Sequence, residues 1–259
     1  MSATNKESNG TSLSMSAFAP PTKKEKEITY VSRSFWKKQI TYPQYGTTKQ
    51  RRMHELQYIM AIIPSVDPKI LLDIGCGTGS TVTLLRELTH IETYYCFDIS
   101  PGMLSSIDTN ELRGSRVIKT EMDLAKEGSS STLTFPDADL TLALGVFQCF
   151  PDYVVQAVMN SVPSKHLIIR NACYTPLQGS QQVVTVSKKL KSEYACVYRT
   201  FDDYVRLAAS CNWDVLDMRR AFPDAIESEF GSKQWIMHLV KQEHAIACGT
   251  EAKNDVASH

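Results

Sequence analysis

Ile70-Leu71-Leu72-Asp73-Ile74-Gly75-Cys76-Gly77-Thr78-Gly79 is a short apolar run that stops at three glycines. A run of this length bounded by glycine suits a strand buried on both faces of a parallel sheet. The glycines let the chain bend tightly and let a ligand rest against the backbone. Ser80 to Leu88 then continues as a helix whose first amides face the same point. Strands and helices alternate beyond it. Thr93–Asp98, Arg116–Lys119, Asp139–Leu144 and His166–Arg170 read as strands, and Pro101–Ile107, Tyr153–Ser161 and Phe201–Ser210 as helices. Ser100 is the expected N-cap of the second helix, with Pro101 at its first position. Trp213–Phe222 and Gln234–Gln242 read as two closing strands. The expectation is an α/β fold, a doubly wound parallel sheet with helices on both faces.

In such a sheet, ligands bind beyond the carboxyl ends of the strands. Three readings of the first turn compete. A phosphate-binding loop of the Walker type needs a lysine before Ser80-Thr81, and none is there. A dinucleotide turn wants glycine or alanine at position 80, which is serine. The third reading depends on the neighbours. Asp73 sits at the strand end, placed to accept from a ligand ammonium group or from the turn's own amides. Asp98, at the end of the second strand, is placed to accept from both hydroxyls of a ribose.

Ile70–Gly79 followed by Phe97-Asp98-Ile99-Ser100-Pro101-Gly102-Met103-Leu104 resembles the class I S-adenosylmethionine-dependent methyltransferases. Glu121-Met122-Asp123-Leu124 and Asp139–Gln148 are similar to that family's segments around the third and fourth strands. The resemblance covers roughly Lys69 to Val240. It implies a Rossmann-like sheet of seven strands, the last antiparallel, and S-adenosylmethionine as cofactor. It also implies site residues. Gly75, Gly77 and Gly79, with Cys76 between them, would pass beneath the methionine part. Asp73 and Met103 would lie in the same site, and Asp98 would bind the ribose. Ile99 would lie on the adenine face, with Asp123 and Leu124 at its edge. Gly145 would let the cofactor approach the fourth strand.

The flanks differ in composition. Residues 1–27 are polar and proline-containing, and are expected to be disordered, as is a tail over 246–259. Residues 28–66 form an expected N-terminal helical and aromatic cap carrying Tyr30, Phe35, Trp36, Tyr42 and Tyr45. Its helix, from about Thr47 to Ile63, presents Met53, Leu56, Met60 and Ile63 on one face and is closed by Pro64. The cofactor-binding domain is expected over 67–245.

The chain has 259 residues, with 28 basic and 28 acidic side chains. No excess positive charge is available for a phosphate backbone, so nucleic acid is not an expected partner. The seven cysteines form no metal-type pattern, so no metal is expected, and they suit a reducing, cytoplasmic setting. No membrane span is expected. A small-molecule acceptor is favoured over a protein or RNA acceptor, and over a non-catalytic binding module. The Asn/Asp-Pro-Pro-Tyr/Phe signature of several amine-modifying families is absent at Gly145–Gln148. No base identifies itself. Tyr45, Gln148 and Arg170 are the candidate catalytic groups, and Trp36, Tyr42, Tyr45, Arg170 and Asn171 the candidate acceptor contacts.

Overall fold

The computed structural model describes residues 20–39, 49–110, 112–127, 133–174, 179–187, 192–227 and 233–243. Two helices precede the sheet: α1 (Lys23–Trp36) and α2 (Lys49–Val66). The alternating part comprises β1 (Ile70–Ile74), α3 (Ser80–Leu88), β2 (Thr93–Asp98), α4 (Pro101–Ser105), β3 (Arg116–Glu121) and α5 (Leu124–Glu127). After β4 (Leu140–Leu144) comes a 3-10 turn (Phe147–Cys149), then α6 (Asp152–Ser161) and β5 (His166–Tyr174). The chain continues through β6 (Gln181–Ser187), β7 (Ser192–Thr200), α7 (Phe201–Ser210), β8 (Trp213–Arg220), α8 (Asp224–Glu227) and β9 (Lys233–Lys241). No helix of the described residues is long and apolar enough to cross a membrane.

β3, β2, β1, β4 and β5 pair in parallel, in that order. β9 runs antiparallel to β5, and β8 antiparallel to β9. These seven strands are the expected sheet. The hairpin β6–β7 raises the count to nine. It lies between β5 and α7, where the sequence reading placed no strand. β5 is also longer than expected, running on to Tyr174. Cys173 pairs with Lys233 of β9 on one side and with Arg199 of β7 on the other. The hairpin therefore takes the edge of β5 that β4 vacates after Leu144, which puts it beside the carboxyl end of β4.

The sheet is apolar on both faces, as a central parallel sheet must be. Leu72, Ile74, Ala143, Leu167 and Ile169 face α6 and α7, while Leu71, Tyr94, Leu140, Leu142 and Ile168 face α2 and α3. A smaller cluster joins Ile28 and Val31 of α1 to Ala195 and Val197 of β7.

α1 starts at Lys23, inside the stretch expected to be disordered. A capping box explains it: Thr22 Oγ1 accepts from the Glu25 amide, and the Glu25 carboxylate accepts from the Thr22 amide. This satisfies two otherwise orphaned donors. Pro64 does not close α2, which continues to Val66. Proline this near the end removes one backbone bond, and the Ser65 hydroxyl donates to the Ile62 carbonyl at 2.7 Å. The buried face of α2 is Leu56, Ile59 and Ile62, while Met53 is exposed. The expected N-cap of α4 is present, with Ser100 Oγ accepting from the Met103 amide at 3.1 Å.

Candidate cofactor and acceptor site

Gly75, Gly77 and Gly79 have φ of +70°, +57° and +69°. A side chain in that region costs about 1–2 kcal/mol. Two of the three are also packed by the protein itself. A Cβ on Gly75 would lie 2.7 Å from Val146 Cγ2, and one on Gly79 would lie 2.8 Å from Ile107 Cγ1. The Gly75 and Cys76 amides donate to the Phe97 carbonyl at 2.8 and 3.0 Å, carrying the β1–β2 ladder around the bend. The Gly77 amide donates to Asp98 Oδ2 at 2.8 Å, and the Ser100 amide to Asp98 Oδ1 at 2.9 Å. Asp98 thus braces the glycine turn as well as facing the space above it. Burial pushes its carboxyl up, against backbone hydrogen bonds from Ser100, Gly77 and Ile99.

Two clefts meet at Gly75. The first has about 570 Å³, counting space open to solvent. Its walls are mostly apolar: Trp36, Phe97, Ile99, Met103, Met122, Leu124, Val146 and Phe150 surround the single carboxylate of Asp98. The second, of about 430 Å³, is charged, with Arg52, Glu55, Asp73, Ser80, Thr81 and Arg170 on its walls. Arg52 makes no ion pair among the described residues. One cleft thus suits a flat heterocycle with a diol. The other, with an available guanidinium and a carboxylate, suits the carboxylate and ammonium of an amino acid. A ligand combining an adenosine with an amino-acid chain fits the pair.

The expected residues are not all used as the sequence suggested. Ile99, Met103, Leu124, Gly77 and Gly145 line the apolar cleft, and Cys76 and Asp73 the charged one. Gly79 lines neither. The space a Cβ would take at Gly145 (φ +82°) is filled by the Arg170 guanidinium, with Nη2 2.8 Å away. Asp123 is held from α1: Arg33 Nε donates to its Oδ2 at 2.6 Å, and Arg33 Nη2 also pairs with it. Arg170, the expected last residue of the fifth strand, lies inside the longer β5, in a buried ion pair with Glu55, and donates to Gln234 Oε1 at 2.9 Å. Trp36 lines the apolar cleft, whereas Tyr30 is exposed. Tyr42 and Tyr45 fall outside the described residues.

Glu55, Arg33 and Arg199 were missed by the sequence reading. Arg199 of β7 is buried, donates to the Phe147 and Phe150 carbonyls at 3.1 and 2.7 Å, and pairs with Asp152. It clamps the turn after β4 to the hairpin. An arginine among the alternating residues of Glu193–Thr200 was the available signal, and no spacing ties it to position 147.

Asp73 has a thermodynamic signature. Burial pushes its carboxyl up to about 7, and the charges of Asp98 and Glu55 add to the push. The folded protein therefore holds this proton where the unfolded chain has released it. Stability falls as pH rises from about 4 to about 7, and the whole penalty stands above that. Asp73→Asn is expected to stabilise the free protein at pH 8 by on the order of 3 kcal/mol, and by little at pH 4. Urea denaturation at the two pH values checks this. An equal effect at both would separate Asp73 from the pH dependence.

Residues 72–164 match the model of the methyltransferase domain family. The chain is 30% identical to O-methyltransferase 3 of Dictyostelium discoideum over 128 residues. The match takes in 47% of this chain and 29% of that protein, so less than a third of the relative's length is spanned. Among solved structures, an S-adenosylmethionine-dependent methyltransferase of the DUF858 family from Leishmania major superposes with a TM-score of 0.58. It is 17% identical, over 83% of this chain and 82% of that one. The magnesium protoporphyrin IX methyltransferase of Synechocystis, solved with bound S-adenosylmethionine, gives a TM-score of 0.54 at 13% identity, over 83% and 97% of the two chains. Residues 72–164 thus carry a methyltransferase domain, on a fold shared with solved S-adenosylmethionine-dependent methyltransferases.

Proposed function

We propose that the chain transfers a methyl group from S-adenosylmethionine to a small molecule, with oxygen as the favoured acceptor atom. The meeting of an apolar and a charged cleft at Gly75 carries this reading. Asp98 accepts from the ribose hydroxyls. Ile99 and Leu124 close on the adenine faces, with Met103 beneath. The adenine edge falls to the chain at Asp123–Leu124, where the Asp123 carboxylate is shared with Arg33. Asp73 takes the ammonium group, and Arg52 the carboxylate. The bound cofactor supplies a methyl group on a sulfonium, already activated for displacement.

The protein's own contribution is placement and dryness. Well-oriented partners gain about 7–11 kcal/mol over free encounter. Trp36, Cys149 and Phe150 give the cleft a wall on the side of the turn after β4, and α1 with the β6–β7 hairpin roofs that side. A roof of this kind suits a small acceptor better than a folded macromolecule. The balanced net charge points away from nucleic acid, and the O-methyltransferase relative favours oxygen.

Calorimetry with S-adenosylmethionine, S-adenosylhomocysteine and NAD tests the first half. Binding of the two sulfur compounds and none of NAD is expected, and the reverse would sink the reading. Label from a methyl-tritiated cofactor should then enter the small-molecule fraction of a cell extract. Label confined to protein or RNA would replace the small-molecule acceptor.

A further inference from the structure

Two carboxamides cross behind the turn after β4, whose Val146, Cys149 and Phe150 wall the apolar cleft. The Gln148 backbone amide donates to Asn171 Oδ1 at 3.2 Å, and the Ala172 amide donates to Gln148 Oε1 at 3.0 Å. A backbone amide can only donate, so these bonds fix which end of each side chain is oxygen. Both NH₂ groups are then directed elsewhere. Asn171 is fully buried, and its Nδ2 has no partner. An unpaired buried donor is costly, and it invites an acceptor. Gln148 is half-buried, and no hydrogen bond from its Nε2 is formed among the described residues. Asn171 shares its strand face with Leu167, Ile169 and Cys173, which pack with Phe147, Cys149 and Phe150. The two donors therefore belong to the side of the sheet where the turn after β4 meets the apolar cleft.

The same region lacks a base among the described residues. No histidine lines either cleft. His166 and His238 sit at the far end of β5, bonded to each other at 3.1 Å. Burial pushes the Cys149 thiol well up and the Cys173 thiol up to about 12, so both stay protonated. Asp152 is committed to Arg199, and Asp98 to the Gly77 and Ser100 amides. Asp73 lies in the other cleft, behind Gly75. An alcohol or an ammonium acceptor must lose a proton to become a nucleophile. A carboxylic acid has already lost its proton at neutral pH.

We infer that the acceptor is a carboxylate, held by the NH₂ groups of Gln148 and Asn171, and that the product is a methyl ester. The inference rests on the methyl-transfer reading above. A carboxylate oxygen forms the bond to the methyl carbon as the carbon–sulfur bond breaks, with that bond's electron pair staying on sulfur. The positive charge of the sulfonium and the negative charge of the carboxylate disappear together. No proton has to leave, so no base is required.

The full chain is incubated with a methyl-tritiated cofactor and the small-molecule filtrate of a cell extract. The labelled product is then treated with mild alkali. Methyl esters release volatile labelled methanol, whereas methyl ethers and methylamines keep their label. Nearly complete release is expected. Label that survives alkali overturns the carboxylate assignment and leaves methyl transfer standing. No label in any fraction, with cofactor binding intact by calorimetry, overturns the methyl-transfer reading and this inference with it.

Asn171→Asp keeps an oxygen for the Gln148 amide and removes the NH₂ group. It is expected to lower kcat/KM for ester formation at least about 100-fold, the scale of losing an aligned donor in a dry site. Affinity for S-adenosylhomocysteine should hold. Gln148→Glu makes the same exchange at a half-exposed position, where folding is safe, and should act in the same direction. Unchanged ester formation in either folded variant overturns the role given to its amide.

Discussion

Asp98→Ala is expected to raise the dissociation constant for S-adenosylhomocysteine at least about 100-fold. Two hydrogen bonds from a diol to a charged oxygen pair, at about 1.5–3 kcal/mol each, account for a loss of that size. The structure adds a second cost. Asp98 Oδ2 accepts from Gly77 and Oδ1 from Ser100, so alanine leaves two backbone amides of the turn without acceptors. A fall in Tm of several degrees is expected as well, since the turn is held by the same carboxylate that meets the ligand. Asp98→Asn separates the two. Its one remaining oxygen still accepts an amide, so stability is largely kept, while the ribose loses its charged partner. Calorimetry with thermal denaturation reads both effects. An affinity within fivefold of the parent for Asp98→Ala would take Asp98 out of the cofactor site.

Arg170→Met should destabilise the fold by about 3–5 kcal/mol, because it strands a buried partner. The Arg170 side chain is 11% exposed and the Glu55 side chain 6%. A carboxylate that loses its guanidinium at that depth must either stay charged without compensation or take up a proton. For a chain of this size the change corresponds to a Tm lower by roughly 6–20 °C. Glu55→Gln with Arg170→Met removes the stranded charge, and should recover most of the loss. The pair is thus costly to break and cheap to replace. Urea denaturation of both singles and the double closes the cycle. A single variant within 1 kcal/mol of the parent would show that water reaches this pair in solution. Arg170 also fills the space beside Gly145, so the double variant leaves that space to solvent or to ligand.

Most of the central sheet was readable from the chain. Unbroken apolar runs such as Leu167-Ile168-Ile169 need two covered faces, and alternation with helices leaves few ways to cover them. The glycine turn was readable for a related reason, since three glycines at alternate positions mark left-handed backbone. Why each glycine is needed was less visible. The bare faces of Gly75 and Gly79 meet Val146 and Ile107, from segments far along the chain. The hairpin was missed because Gln181–Ser187 and Ser192–Thr200 interleave polar and basic residues with apolar ones, and buried Arg199 breaks the apolar run that marks a covered strand. Asp123 was named as an adenine contact, and its hold by Arg33 has no local signal, because the partner lies 90 residues earlier. The same holds for Glu55 and Arg170. Local pattern reports strands, caps and turns. It is silent on which charges meet across the fold.

The roof over the acceptor side has a consequence for the order in which the chain is made. Ile28 and Val31 of α1 are buried against Ala195 and Val197, about 165 positions later. A nascent chain presents these apolar side chains long before their cover exists. Alone in water, a helix of 14 residues is marginal. The parallel pairs among β1 to β5, by contrast, close within residues 70–174, before the hairpin is made, and contacts over short separations form soonest. The adenosine-facing floor can therefore be complete while α1 still waits for the hairpin. Competence to hold an acceptor thus waits for the hairpin, although the other roofing piece is made about 165 residues earlier.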